Sequence, residues 1–311
     1  MLSLIVPVYK NAPNIDALLG AVRELDQQLK HEFELVCVVD GSPDDSYLRL
    51  ATALPEEPFR SQLLSLSRNF GSFAAIRAGL AAARGPRCAV MAADLQEPPE
   101  MVLEFDRILR KGDTDVVIGH RVSRADPLLS RLASATFWGL FRRLVEPAIP
   151  AGGVDVFGCT TAVRDVIVGL PERHSSLVAL LFWVGFRRQA VPYARRQRLA
   201  GKSGWTLKKK VRYFSDSLFS FTDVPIKALL TLGTLGLLGS LLFAMLVLSA
   251  KLFSEIPVPG YAATVLLVTF FGGLNCFGLG VVGSYVWRTF ENTKGRPNYI
   301  VRSQEKFERG T

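Results

Sequence analysis

Short apolar runs alternate with amphipathic segments over the first two-thirds of the chain, and two long apolar stretches dominate the last third. "LSLIVPVY" predicts a strand ending at Pro7-Val8-Tyr9, followed by a helix from about Asn14 to Lys30. "FELVCVV" is a second strand and runs into the turn signal Asp40-Gly41-Ser42-Pro43-Asp44-Asp45. "QLLSLS" is a third, with a helix in "SFAAIRAGLAAA" behind it. "CAVMAA" is a fourth, delivering Asp94, and "DVVIGHR" a fifth. Strands alternating with helices predict an α/β domain with a largely parallel sheet and ligands at the carboxyl ends of its strands. Asp40, Arg68 and Asp94 all fall at such ends.

The apolar stretches run from Ala228 to Ala250 and from Tyr261 to Trp287. Each exceeds the roughly 20 residues that cross a bilayer, and neither contains a charge. They are read as a transmembrane hairpin rather than a pair of buried core helices. Its outer flanks are basic, with Lys208, Lys209, Lys210, Arg212 and Lys227 before it and Arg288, Lys294, Arg296, Arg302, Lys306 and Arg309 after it. The linker between the spans holds only Lys251 and Glu255, so the positive-inside rule puts both flanks in the cytoplasm. Small residues recur along both spans, at Gly236, Ser240 and Ala244 and at Gly272, Cys276, Gly280 and Ser284, which permits close helix packing. No charged residue marks a transport path, which argues against a channel or pump.

A net charge of +9 invites a nucleic-acid reading, but much of the excess flanks the spans. Anionic lipid headgroups explain that placement better, and no nucleic-acid partner is expected. From Leu207 the apolar positions Val211, Phe214, Leu218 and Phe221 follow a helical period, in the segment that carries the lysines. This predicts an amphipathic helix on the inner leaflet, the alternative being a surface helix packed on its own domain. The N-terminus shows neither a charged n-region nor a cleavage site, so no signal peptide is read there. The four cysteines, at 37, 88, 159 and 276, have no paired metal spacing and read as reduced thiols. Neither a P-loop nor a GxGxxG run appears, which removes the main support for ordinary NTPase and dinucleotide readings.

The segments "VPVYKN", "VVDGSPDDS", "LSRNFG", "ADLQEPPE", "LPER", "FWVGFRR", "VPYARR" and "KGRPNYIVR" occur in an order that resembles the polyprenyl-phosphate glycosyltransferases. These are relatives of dolichyl-phosphate mannose synthase, and the bacterial two-span enzymes that load undecaprenyl phosphate are the most similar. The resemblance covers nearly the whole chain. It implies a GT-A nucleotide-sugar-binding domain over 1–203, a juxtamembrane amphipathic helix over 204–224, the hairpin over 225–288 and a cytoplasmic tail over 289–311. It further implies inverting transfer of one sugar from a nucleoside-diphosphate sugar, by expectation a UDP-sugar, to undecaprenyl phosphate. Mg²⁺ or Mn²⁺ is the implied cofactor, the cytoplasmic face of the bacterial inner membrane the implied location, and a homo-oligomer, a tetramer, the implied assembly.

Several positions depart from the family pattern. The usual acid pair before Gly-Ser is Val39-Asp40, and the first acid of the "DADLQ" run is Ala92. Lys10 and Asn11 replace acids after Tyr9, Phe157 replaces an arginine, and Lys202 and Gly204 alter the "GESKYS" segment. These changes cluster around the donor and acceptor pockets and leave the sugar identity open.

On this reading Asp94 and the Gln96 carbonyl hold the metal. One carboxylate suffices, because Mg²⁺ takes one or two and fills its shell with substrate phosphates and water. The simpler alternative for Asp94 is a cap on the following helix. Pro7, Tyr9, Asn11, Asp40 and Arg68 line the nucleotide site, with Asp40 accepting from base or ribose. A turn-forming role for Asp40 and a loop brace for Arg68 remain the alternatives. Arg121 and Arg131, matched to family basic positions, and Lys202 with Ser203, inferred from charge compensation, are candidates for the acceptor phosphate. Asp155 orients the acceptor or acts as a weak base. Two competing functions remain: a processive polysaccharide synthase, disfavoured by the single hairpin and the missing QxxRW motif, and a decayed membrane scaffold, kept open by Val39 and Ala92.

Overall fold

The computed structural model describes residues 1–123, 138–150, 153–154, 156–170, 176–196, 207–253 and 260–309. In chain order the strands are β1 (Leu2–Val8), β2 (Phe33–Val39), β3 (Arg60–Leu66), β4 (Arg87–Val90), β5 (Val116–Ser123), β6 (Val156–Thr160), β7 (Arg188–Ala194) and β8 (Val301–Phe307). The helices of the sheet domain are α1 (Ile15–Gln28), α2 (Ser46–Ala53), α3 (Ser72–Ala82), α4 (Glu100–Arg110), α5 (residues 138–144), α6 (Thr161–Gly169) and α7 (Leu177–Trp183). Three more follow: α8 (Leu207–Phe221), α9 (Val224–Phe253) and α10 (Tyr261–Thr293).

The eight strands form one sheet in the order β7-β5-β6-β4-β1-β2-β3-β8. β1 pairs in parallel with β2 and β4, β2 with β3, and β5 with β7. β6 runs against β4 and β5, and β8 against β3. The sheet is therefore mixed rather than largely parallel. Strand direction depends on the end at which a strand enters the sheet, and the local apolar pattern does not encode that. Six strands still point the same way, so the carboxyl ends of β1, β2, β3, β4, β5 and β7 share one rim.

Both faces of the central strands are covered, which is why β1 and β2 read as nearly continuous apolar runs. Leu2, Leu4, Val6 and Val8 of β1 join one core with Leu18, Val22 and Leu25 of α1 and Phe105 and Ile108 of α4. Ile5 turns to the other, with Ala75 and Leu80 of α3, Phe141 of α5, Ile167 of α6 and Leu181 of α7. A three-layer α/β/α sandwich results.

The segment expected as a tail supplies β8, an edge strand paired from Ser61↔Phe307 to Leu66↔Val301. Its sequence, "VRSQEKF", is too polar and too weakly β-forming to announce a strand. Only β3's open edge makes it one. It is fastened by Gln304 Nε2 donating to Gln62 Oε1 (2.8 Å) and by the Tyr47 hydroxyl donating to Glu305 Oε1 (2.5 Å).

α9 extends the first apolar stretch at both ends, and α10 extends the second at its C-terminal end. Phe270–Thr293 is long and apolar enough to cross a membrane, and α8 from Tyr213 with α9 to Gly236 forms a second such pair, bent by 76°. Many of their apolar side chains face outward, Leu230 at 63% and Val268 at 67% exposure among them. α8, expected on the inner leaflet, also makes contacts with its own domain in its described portion. Tyr213 stacks on Phe141 at 5.7 Å between ring centroids, Ser217 is wholly buried, and the Tyr213 and Ser176 hydroxyls share a 2.7 Å hydrogen bond. Burial pushes the Tyr213 phenol up to about 12. The helical period of this segment could not say which apolar surface it faces.

Candidate active site

β1 lies where the strand order reverses, with β2 on one side and β4 on the other. In an open α/β sheet the crevice above such a point is the usual ligand site. Here it opens because β4 stops early: its pairing with β1 ends at Ile5↔Val90, followed by one bond from Met91 N to Ile5 O (3.1 Å). Pro7 stands just beyond. The main-chain bonds of Leu2 and Val8 go to the β2 side, so Pro7, an odd-numbered neighbour, turns its missing N–H toward the gap and costs no ladder bond.

Beyond Pro7 the chain turns sharply, with Tyr9 40% exposed at the mouth and Lys10 left-handed at φ 54°. A non-glycine residue in that region is strained and persists only where its surroundings hold it. The turn after β2 does so. Lys10 N donates to Ser42 Oγ (2.8 Å), Asn11 N to Ser46 Oγ (3.2 Å) and Ala12 N to Asp44 Oδ2 (3.0 Å). Asp44 Oδ1 in turn accepts from the hydroxyls of Ser42 (2.5 Å) and Ser46 (2.7 Å). Burial raises the Asp44 carboxyl, but these hydrogen bonds outweigh it and hold it below the ordinary carboxylate range.

Asp40 is buried and accepts from Phe70 N (2.7 Å) and Gly71 N (2.8 Å), one bond to each carboxylate oxygen. It thus ties the end of β2 to the loop after β3 at the N-terminus of α3, where a negative charge is favourable. Burial pushes its carboxyl up, while the two amides and Arg68 pull the other way. Gly41 is required beside it: an added Cβ would lie 2.3 Å from the Arg68 carbonyl carbon, and its φ is +55°. Arg68 itself is exposed, donates to Asn69 O (3.3 Å) and lies over the Phe70 ring at 4.1 Å. Both alternative roles, turn former and loop brace, are therefore real contacts here. Each Asp40 oxygen keeps a second lone pair for a ligand.

Across the gap, Asp94 follows β4 and is 8% exposed. Leu95 is left-handed at φ 52°, a second strained non-glycine residue on the rim. Asp94 does not cap the next helix: the residue at that position of α4 is Pro99, with no side-chain cap. Instead Gln96 N reaches back toward Asp94 Oδ1 at 3.4 Å. Both Gln96 oxygens, expected to offer a metal ligand, also accept hydrogen bonds here. The main-chain oxygen accepts Arg196 N–H (2.8 Å), and the side-chain oxygen accepts Arg195 Nη2 (2.6 Å). Arg196 also holds Glu100 (3.0 Å), and Arg195 Nε lies 3.8 Å from Glu97, whose side chain is 2% exposed. Among the described residues no three His, Cys, Asp or Glu side chains gather as a metal cage. A carboxylate and an amide oxygen on one turn nonetheless suit Mg²⁺ or Mn²⁺, provided the ligand brings phosphate oxygens.

Arg121 lies near the end of β5, opposite Tyr193 of β7, on the same rim and partly exposed. Arg131, Asp155, Lys202 and Ser203 lie outside the described residues. The expected donor-side residues Pro7, Tyr9, Asn11, Asp40, Arg68 and Asp94 lie on or just after β1, β2, β3 and β4, toward the rim those strands share. The residues missed by sequence reasoning are the supports: Ser42, Asp44 and Ser46 under the Tyr9 turn, and Arg195 and Arg196 under the Asp94 turn. The "VPYARR" segment carried a signal in its arginine pair, but nothing placed it opposite Gln96.

The rim also receives the C-terminal helices. β8 enters the sheet here, with Ser67 N donating to Ile300 O (2.9 Å). Arg288 of α10 pairs with Asp216 of α8 at 2.8 Å. A cavity of about 650 Å³ lies at the α8–α9 bend, lined by polar and apolar residues alike, Arg143, Thr222 and Asp223 as well as Leu144, Phe219 and Tyr285.

Comparison with known proteins places this geometry. The model of the family described as "Glycosyl transferase family 2" matches residues 3–168. The chain is 32% identical to an uncharacterized glycosyltransferase of Synechocystis, sll0501, over 96% of this chain and 94% of the relative. It is 30% identical to the bactoprenol glucosyl transferase of Shigella phage SfX, over 98% of this chain and 99% of the relative. Glucosyl-3-phosphoglycerate synthase of Mycobacterium tuberculosis, solved with Mn²⁺, UDP-glucose and phosphoglyceric acid, superposes with a TM-score of 0.53. At 16% identity, over 70% of this chain and 77% of that one, it shares the fold.

Proposed function

The chain belongs to glycosyl transferase family 2 and transfers a sugar, and on that premise we propose that it moves one glucosyl unit from UDP-glucose to undecaprenyl phosphate, with inversion, at the cytoplasmic membrane face. One observation carries the acceptor assignment: the rim bearing the Tyr9, Asp40 and Asp94 turns is also the rim at which the chain returns from α10 into β8. A lipid phosphate held at a bilayer surface beside α9 and α10 is then within reach of the donor cleft. The bactoprenol glucosyl transferase name of full-length relatives supports glucose and this lipid.

In the proposed mechanism, Tyr9 and Asp40 receive the base and ribose, and the bonds from Asp40 to Phe70 and Gly71 keep the Arg68 loop in place. Asp94 is the residue that would hold Mg²⁺ or Mn²⁺, which when bound neutralises the departing diphosphate. The acceptor's phosphate monoester has a second pKa of about 6 and is already an anion near neutrality, so no residue need remove a proton from it. Arg121, with Arg131, Lys202 and Ser203, orients that phosphate, and positioning accounts for much of the rate. Asp155 orients the acceptor in this scheme.

The test is a panel of nucleotide sugars with undecaprenyl phosphate and the purified protein, read by mass spectrometry of the lipid. One hexose added from UDP-glucose alone is the expected result. A ladder of lipid-linked oligosaccharides, or no product from any donor, refutes the reading, the latter favouring a decayed scaffold.

A further inference from the structure

We propose that Arg195 is a positioning residue that occupies the side-chain oxygen of Gln96 in competition with a divalent cation, and so sets how tightly the Asp94 turn binds metal. The inference rests on the reading of Asp94 as the metal-nucleotide turn.

Two arginines reach this turn, and they differ in kind. Arg196 is an anchor: its main-chain N–H is spent on Gln96 O and its guanidinium on Glu100. Arg195 makes no main-chain bond to the turn. Its guanidinium sits 2.6 Å from Gln96 Oε1, the oxygen not committed to the backbone. A guanidinium is permanently charged and only donates. While it is there, a second cation on the same amide oxygen meets a like charge close by.

Arg195 has somewhere else to go. Its Nε already lies 3.8 Å from Glu97 Oε1, and the Glu97 side chain is 2% exposed. Closing that distance converts a loose contact into a charge-assisted hydrogen bond and lets Gln96 go, while Arg196 keeps the loop attached. The Arg195 side chain is 31% exposed, so part of it faces solvent. The competition matters more here because Ala92 provides no second acid two residues before Asp94.

The experiment measures Mn²⁺ binding to the purified full-length protein in detergent with UDP present, by electron paramagnetic resonance of free Mn²⁺, without turnover. Arg195→Gln is expected to tighten Mn²⁺ about tenfold, the lower end of what outer partners of metal ligands contribute. In a Gln96→Ala background the same change is expected to do nothing, because the contested oxygen is gone. Should Arg195→Gln fail to fold, Arg195→Lys, a point charge without the fork, serves in its place with a smaller tightening of about twofold to threefold. Unchanged or weaker Mn²⁺ binding in a folded Arg195 variant overturns the competition. If Asp94→Asn still abolishes Mn²⁺ binding in that case, the metal-turn reading survives alone. Wild-type protein that binds no Mn²⁺ with UDP overturns both.

Discussion

Asp40 and Asp94 leave the sheet on either side of β1, and their surroundings divide the work between them. Asp40 is engaged by two amides and holds a loop, whereas Asp94 sits on a strained turn beside Leu95 with Gln96 N 3.4 Å away. Asp94→Asn preserves shape but removes the charge. It should cost about 10²- to 10³-fold in rate, the usual effect of losing one preorganised electrostatic contact, with little change in melting temperature. Asp155→Asn tests the absence of base catalysis: its rate should not climb tenfold per pH unit, because the nucleophile has no proton to lose. Asp44 gives a pH signature. Its carboxyl lies below the ordinary 3.8 in the folded protein, so its stabilisation is complete above that value and disappears as pH falls through the folded pKa. Asp44→Asn should therefore lose about 1 kcal/mol at neutral pH, a modest figure because the group is partly solvated. Denaturant titrations of the two proteins should converge in acid.

β8 shows how an element can depend wholly on its neighbour. It alternates exposed and half-buried residues along an otherwise open edge of β3, and its bonds reach Gln62 and Tyr47 on the domain proper. Deleting residues 301–311 removes these bonds and the Phe307 contact with the core. Loss of one large apolar side chain alone is worth about 2 kcal/mol, or roughly 5 °C on a domain of this size. Thermal unfolding should show at least that drop, together with aggregation through the uncovered β3 edge. An unchanged midpoint would mean that β8 merely rests on the sheet. α8 makes a complementary point, since its Tyr213 ring stacks on Phe141 of the sheet domain.

At the scale of the molecule, the rim of the sheet and the base of the α9–α10 pair are joined, and membrane topology follows from that join together with the charges. Both flanks of the helix pair should be cytoplasmic and the 251–260 linker external. A cysteine placed at Ser254 should be labelled by an impermeant reagent on intact cells, and cysteines placed over 205–212 should not. The reverse pattern would separate the catalytic rim from the compartment that holds nucleotide sugars.

The sequence alone determined the α/β class, the strands before the donor residues and the two apolar helices, because each is a local pattern: alternation, turn residues or uncharged length. It also put Tyr9, Asp40, Arg68 and Asp94 at strand ends, where a shared rim was foreseeable. The tertiary structure decided the rest. Strand order placed β1 between β2 and β4 and opened the gap at Pro7. Packing turned a polar tail into β8, and long-range hydrogen bonds set Arg195 and Arg196 beside Gln96 across 99 residues of sequence. No local pattern can encode a contact of that kind, because its energy depends on a partner that only the folded sheet brings within reach.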